Sequence, residues 1–124
     1  MLAAPYAICR CAPQAGLPTW ARPPDGDGFL SVTWTADALS VVCPQHVVPA
    51  QTQAERDRIA LKMRAPLALN LTGILASLVV APRDVGVSVF AVSTHATDYL
   101  LVPAVVFGQV VTALRAAGHT IIGA

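Results

Sequence analysis

Val87-Ser-Val-Phe-Ala-Val-Ser-Thr-His-Ala-Thr-Asp98-Tyr-Leu-Leu-Val102, preceded by Gly73-Ile-Leu-Ala-Ser-Leu78 and followed by Ala113-Leu-Arg-Ala-Ala-Gly118-His119, decides how this chain folds. Val85 to Ser93 is rich in β-branched residues and reads as the strongest strand. Tyr99 to Val102 returns from it through a turn at Thr94 to Asp98. The turn leaves one carboxylate, Asp98, in an otherwise uncharged hairpin. Upstream, Asn70 and Thr72 are suitable N-caps, Gly73 permits close backbone approach, and Ile74, Leu75, Leu78 and Val79 form the apolar face of a helix that Pro82 kinks or ends. Downstream, Phe107, Val110, Val111 and Leu114 recur at i, i+3, i+4, i+7, so a core-facing helix spans roughly 103–117. Pro103 suits its entry and Gly118 its C′ cap.

Working outward, Ile59, Leu61 and Met63 alternate with Ala60, Lys62 and Arg64, a strand with one wet face that Pro66 ends. His119 to Ile122 reads as a final strand. The order β, α, β, β, α, β is the ferredoxin-like arrangement of split βαβ units. The first half repeats it in degenerate form. Tyr6 to Cys11 is a strand, Leu17 to Trp20 a short helical turn within a Pro/Gly-rich stretch, and Phe29 to Thr35 and Ala38 to Cys43 are strands joined at Ala36-Asp37. Phe29, Ser31, Thr33 and Thr35 alternate with Leu30, Val32 and Trp34, predicting one buried face. The densest polar run, 51–58, is the connector. The expected organisation is therefore α+β, two side-by-side ferredoxin-like modules over 1–54 and 55–124, the first degenerate. Neither is large enough to bury a full core alone.

Composition bounds the function. The 124 residues are 55% hydrophobic and only 12% charged, against a usual charged fraction of about 25%. That surplus of apolar surface, with the sheet edges of two small modules, predicts a homodimer. A net charge of +1 from eight scattered basic residues offers no footprint for nucleic acid. The uncharged stretches 66–82 and 99–114 are interrupted by Asn70, Gly73, Pro103 and Gly108, and both fall short of the ~20 apolar residues of a membrane span. With no basic, apolar leader at the N-terminus, the expected location is cytoplasmic, where the three cysteines stay reduced and form no structural disulfide.

Candidate chemistry is sparse. Cys9-x-Cys11 and Cys43-x-x-His46 contain ligand types that zinc accepts, but their spacing fits no common zinc pattern, so no metal and no cofactor is expected. A nucleophile at Cys43 with His46, or a base at His95, needs a partner in reach and a third group to orient it, which sequence proximity does not supply. Trp20 and Trp34 read as core anchors, because no basic residues interleave with them as in a nucleic-acid stacking platform. No catalytic apparatus is legible, and the expectation is a protein that is not an enzyme.

The runs Gly73-Ile-Leu-Ala-Ser, Gly86-Val-Ser-Val-Phe-Ala-Val-Ser-Thr, Thr97-Asp98-Tyr-Leu-Leu-Val and Ala113-Leu-Arg-Ala-Ala-Gly-His-Thr together resemble the small tandem ACT-domain proteins. These are similar to the regulatory ACT modules of aspartate kinases and to the cytosolic arginine sensor. The resemblance implies a βαββαβ fold, a frequently dimeric pairing of modules, and allosteric regulation by a small molecule, commonly an amino acid, bound at a module interface. Carried over by position, the ligand-facing segments are the helix-entry loop Asn70, Leu71, Thr72, Gly73 and Ile74, and the hairpin residues Ser93, Thr94 and Asp98. The chain departs from the family at Val79-Val80-Ala81-Pro82-Arg83 and at Pro103-Ala-Val-Val-Phe107, where helix packing and oligomer contacts lie.

Physically, an amino-acid carboxylate suits the free N–H groups of a helix N-terminus near Gly73 and Ile74. Its ammonium suits Asp98 and the carbonyls at the end of the Ser93 strand. Leu71, with no acid in that loop, favours a ligand with a neutral or apolar side chain. Asp98 as a simple Asx-type turn cap is the competing reading. The alternative at the level of function is an assembly subunit that uses the fold only for protein contact, with Val105, Val106 and Phe107 in the interface.

Overall fold

The computed structural model describes residues 1–63 and 80–123. They form two units, one of residues 2–58 and one of Met1 with residues from Ile59 onward. Both are built mainly from antiparallel strands, and the architecture is mixed α/β.

In the first unit, β1 (Tyr6–Cys11) is flanked by β3 (Leu39–Pro44) and by the start of β4 (Ala54–Lys62), and β2 (Ser31–Trp34) lies outside β3. The β1–β3 register runs from Tyr6 opposite Pro44 to Cys11 opposite Leu39. Alternation along the strands therefore puts Ala7, Cys9 and Cys11 on the same face as Leu39, Val41 and Cys43. That face is the core, closed by Ala21, Trp20, Val47 and Val48. Where β1 meets β4, Tyr6 faces Arg58 but Ile8 faces Glu55, so β4 carries one extra residue. Asp57 takes up this bulge at φ 57°. It is held there by Gln45, whose Nε2 donates to Asp57 Oδ1 at 3.0 Å and whose Oε1 accepts the Asp57 N–H at 2.6 Å.

The second unit repeats the three-strand order, with β6 (Asp98–Pro103) between the end of β4 and β5 (Phe90–Ser93). Its core is Leu61, Val87, Leu100, Val102, Val110 and Leu114. The C-terminal helix (Phe107–Ala116) contributes Val110 and Leu114 to it and also buries Val111, so the apolar stripe read in the sequence is the buried one. Gly118, at φ 96°, closes that helix: its N–H donates to Arg115 O, and the His119 N–H donates to Leu114 O. These are the two bonds of a Schellman cap, which uses a left-handed residue at C′ to satisfy the last carbonyls.

Several expectations are corrected. The helical turn in the first half falls at Pro13–Ala15, where proline opens the turn, rather than at Leu17 to Trp20. The polar run 51–58 is largely strand, because β4 starts at Ala54. Both β2 and β5 are short. Val32 and Trp34 are 38% and 54% exposed, so β2 is an edge strand without the buried face its alternation suggested. Residues 85–86 form a turn in which Gly86 adopts φ 82°, which postpones β5 to Phe90. The chain is helical over 80–84 and thus continues past Pro82 to end at that turn. Between Pro103 and the C-terminal helix lies a single 3-10 turn, Ala104–Val106. His119 to Ile122 is not a strand. The expected helix over 72–79 lies outside the described residues.

Candidate functional site

The hairpin that carries Asp98 is built twice in this chain. In the second unit, Thr94 N–H donates to Thr97 O at 2.9 Å, and Thr94 Oγ1 donates to the same carbonyl at 2.8 Å while accepting from the Ala96 and Thr97 amides. In the first unit, Thr35 does the same with Ala38 O, Asp37 N and Ala38 N. Immediately outside these turns lie the pairs Ser93–Asp98 and Trp34–Leu39. Both returning strands end in a proline, Pro44 or Pro103, that leads into a single 3-10 turn. Asp98 is therefore the positional counterpart of Leu39.

That equivalence singles out position 98 as the candidate site. Leu39 is fully buried in its core, and Asp98 is only 8% exposed at the head of β6, on the strand face that it shares with Leu100 and Val102. Burying a carboxylate where a leucine fits forfeits the roughly 1.5–3 kcal/mol of leucine burial and adds a desolvation cost. Among the described residues the ion pairs are Arg58–Glu55 and Arg83–Asp84, and neither compensates Asp98. Ser93, directly opposite, is exposed. The turn's side-chain cap comes from the Thr94 hydroxyl, not from Asp98.

Two further bonds fix the hairpin to the end of β4. Met63 N–H donates to Asp98 O at 2.9 Å, and Thr97 Oγ1 donates to Met63 O at 2.8 Å. The carboxylate is thus held where the chain leaves β4. Thr97, itself buried, and Met63 were not among the expected site residues. The signal was present: Thr94 precedes Pro103 at the spacing by which Thr35 precedes Pro44, and aligning the two stretches pairs Asp98 with Leu39. Asn70, Leu71, Thr72, Gly73 and Ile74 lie outside the described residues.

The other candidate constellations are not assembled. Cys43 is fully buried while His46 is exposed, and the neighbouring Cys9 together with burial pushes the Cys43 thiol up, away from the thiolate a nucleophile requires. His95 is exposed in its turn. No group of three or more potential metal ligands occurs among the described residues. No helix among them is long and apolar enough to cross a membrane.

An ACT-domain family model matches residues 53–116, and a separate model of an N-terminal domain matches residues 4–51. The chain belongs to the ACT-domain family, whose members are in general regulatory modules that bind small molecules rather than catalysts. The crystal structure of protein Atu0741 from Agobacterium tumefaciens is similar over 96% of this chain and 87% of that one, with 33% identity and a TM-score of 0.86. A Vibrio cholerae protein of unknown function, VC0802, shares the fold at a TM-score of 0.68 and 15% identity, over 95% of this chain and 87% of that one. No protein of curated function matches.

Proposed function

We propose that the chain is a non-enzymatic regulatory protein of two ACT-type modules, a degenerate one over 1–54 and a complete one over 55–124. In this reading it binds an amino acid at the hairpin end of the second module. The observation that carries it is the buried carboxylate of Asp98 at the position where the sister hairpin has Leu39. A ligand ammonium would compensate that charge, with Ser93 and the Thr94 backbone beside it. The helix-entry residues Asn70, Leu71, Thr72, Gly73 and Ile74 supply the carboxylate pole on the strength of their sequence. As in the ACT modules of aspartate kinases and the cytosolic arginine sensor, binding would favour one partner complex over another, within a cytoplasmic homodimer. No cofactor, nucleic acid or membrane enters this reading.

The assembly-subunit alternative draws on Val105, which is 92% exposed. Val106 and Phe107, however, pack against the core of their own unit and are spent there. A thermal-shift screen against each proteinogenic amino acid separates the two. One amino acid raising the melting temperature of the wild type but not of Asp98→Asn supports the sensor, since a ligand bound only to the folded state stabilises it by RT ln(1 + [L]/Kd). The absence of any shift at millimolar concentration favours the assembly subunit.

A further inference from the structure

The proline- and glycine-rich segment of the first unit contains Pro23-Pro24-Asp25-Gly26-Asp27-Gly28-Phe29, two Asp-Gly steps in direct succession. An Asp-Gly step is prone to rearrange through a succinimide, because glycine has no side chain to hinder attack by its own nitrogen. The sequence makes the two steps equivalent, and the fold does not.

Asp25, Gly26 and Asp27 are exposed and form a turn, with Gly26 at φ 69°. A Cβ on Gly26 would meet nothing within 4 Å. Gly28 is enclosed: a Cβ there would lie 2.8 Å from Pro24 Cγ and 3.2 Å from Tyr6 Oη. The residue after it is fixed as well. The Phe29 N–H donates to Tyr6 Oη at 2.8 Å in a buried bond, and the two rings stack with centroids 4.7 Å apart. Neither glycine N–H has a hydrogen-bond acceptor among the described residues, so packing is what separates the two steps.

Ring closure needs freedom at the glycine. The carboxyl carbon of the aspartate must come onto the following nitrogen, and the peptide plane between the two residues turns as it does. At Asp25 that plane lies in an open loop, between an anchor at Ala21 in the core and one at Phe29 on Tyr6. At Asp27 the same rotation drives Gly28 against Pro24 and pulls Phe29 off Tyr6. Breaking that hydrogen bond slows closure by about tenfold.

We propose that Asp25, and not Asp27, is a site of spontaneous isoaspartyl formation in the native protein. The Gly26 nitrogen attacks Asp25 Cγ and gives up its proton. A C–N bond forms, the carboxyl hydroxyl leaves with that proton as water, and a succinimide results. A second water opens the ring at the backbone carbonyl, so the chain then runs on through the aspartate side chain. The product has the original mass, one more carbon in the main chain and a carboxylate standing beside it. That carboxylate is the group that an S-adenosylmethionine-dependent isoaspartyl methyltransferase esterifies. The methyl–sulfur bond breaks, the ester forms, and renewed ring closure expels methanol, which offers the residue a return to aspartate. Exposed loop tips tolerate an added atom, and the slack between Ala21 and Phe29 absorbs this one.

The test follows the full chain over time at neutral pH, in native buffer and in urea. Cleavage before aspartate, which fails at an isoaspartyl linkage, and electron-transfer fragmentation read the two positions separately. In native buffer the linkage should change about tenfold faster at Asp25 than at Asp27, and at comparable rates in urea. Aged native protein should accept labelled methyl from S-adenosylmethionine and an isoaspartyl methyltransferase, with its Tm unchanged. Asp25→Glu should remove that label and Asp27→Glu should keep it; both positions are exposed, so neither change threatens the fold. Equal native rates, faster change at Asp27, or protection of both positions relative to urea would overturn the proposal.

Discussion

At position 98 the chain places a carboxylate where its other hairpin has a leucine, Leu39, and both residues are buried. If the carboxylate is kept for a ligand ammonium, Asp98→Leu should stabilise the ligand-free protein while removing its response to an amino acid. The expected gain is about 1 kcal/mol, the lower end of the cost of burying a polar group. For a chain of this size that raises Tm by about 4 °C. A fall in Tm with the amino-acid response intact would show that the carboxylate serves the fold. The converse change, Leu39→Asp, opens no site and should cost about 3 kcal/mol, by lost burial and desolvation together; urea unfolding measures it.

Among elements, the hairpin turns depend on one hydroxyl each. Thr94 and Thr35 make the same hydrogen bonds around their turns. Thr94→Ala and Thr35→Ala should each lower stability by about 1 kcal/mol. Only Thr94→Ala should also weaken the amino-acid response, because its turn is the one that presents Asp98. Gly118→Ala tests the helix stop separately: a Cβ there meets nothing within 4 Å, so its cost is the left-handed φ of 96° alone, about 1 kcal/mol in urea unfolding. Elements of this kind were legible where local chemistry decides them. The stripe Val110, Val111 and Leu114, the stop at Gly118 and the strand Tyr6–Cys11 follow from periodicity and capping. The failures lie where tertiary pairing outweighs pattern. Alternation in Ser31–Trp34 promised a buried face, but in this edge strand Val32, Thr33 and Trp34 are all exposed. The β-branched run from Val85 was cut short by a glycine turn that hydropathy does not register. The charged start of β4 read as a connector, although its pairing with β1 makes it strand.

At the scale of the whole molecule, the two units share a strand order, a hairpin turn and a proline exit, yet differ in what closes the core: a loop carrying Trp20 in one, a helix in the other. The threonine-to-proline spacing common to the two hairpins already aligns Asp98 with Leu39 in the sequence, and the strand registers agree with that alignment. The asymmetry makes a prediction about where binding is felt. In hydrogen exchange, the amino acid that raises Tm should slow exchange of the Met63 and Thr97 amides, which lock the Asp98 hairpin to β4 and to its own turn. The Thr35–Ala38 turn, identical in its bonds but flanked by Trp34 and Leu39, should exchange at its unliganded rate. At a ligand concentration of about 100 times Kd, binding contributes about 2.7 kcal/mol. Amides that open only with their unit should then slow by up to about a hundredfold. Equal protection at both turns would mean that ligand binding stabilises the chain without distinguishing its two hairpins, and Asp98 would lose its claim to the ammonium.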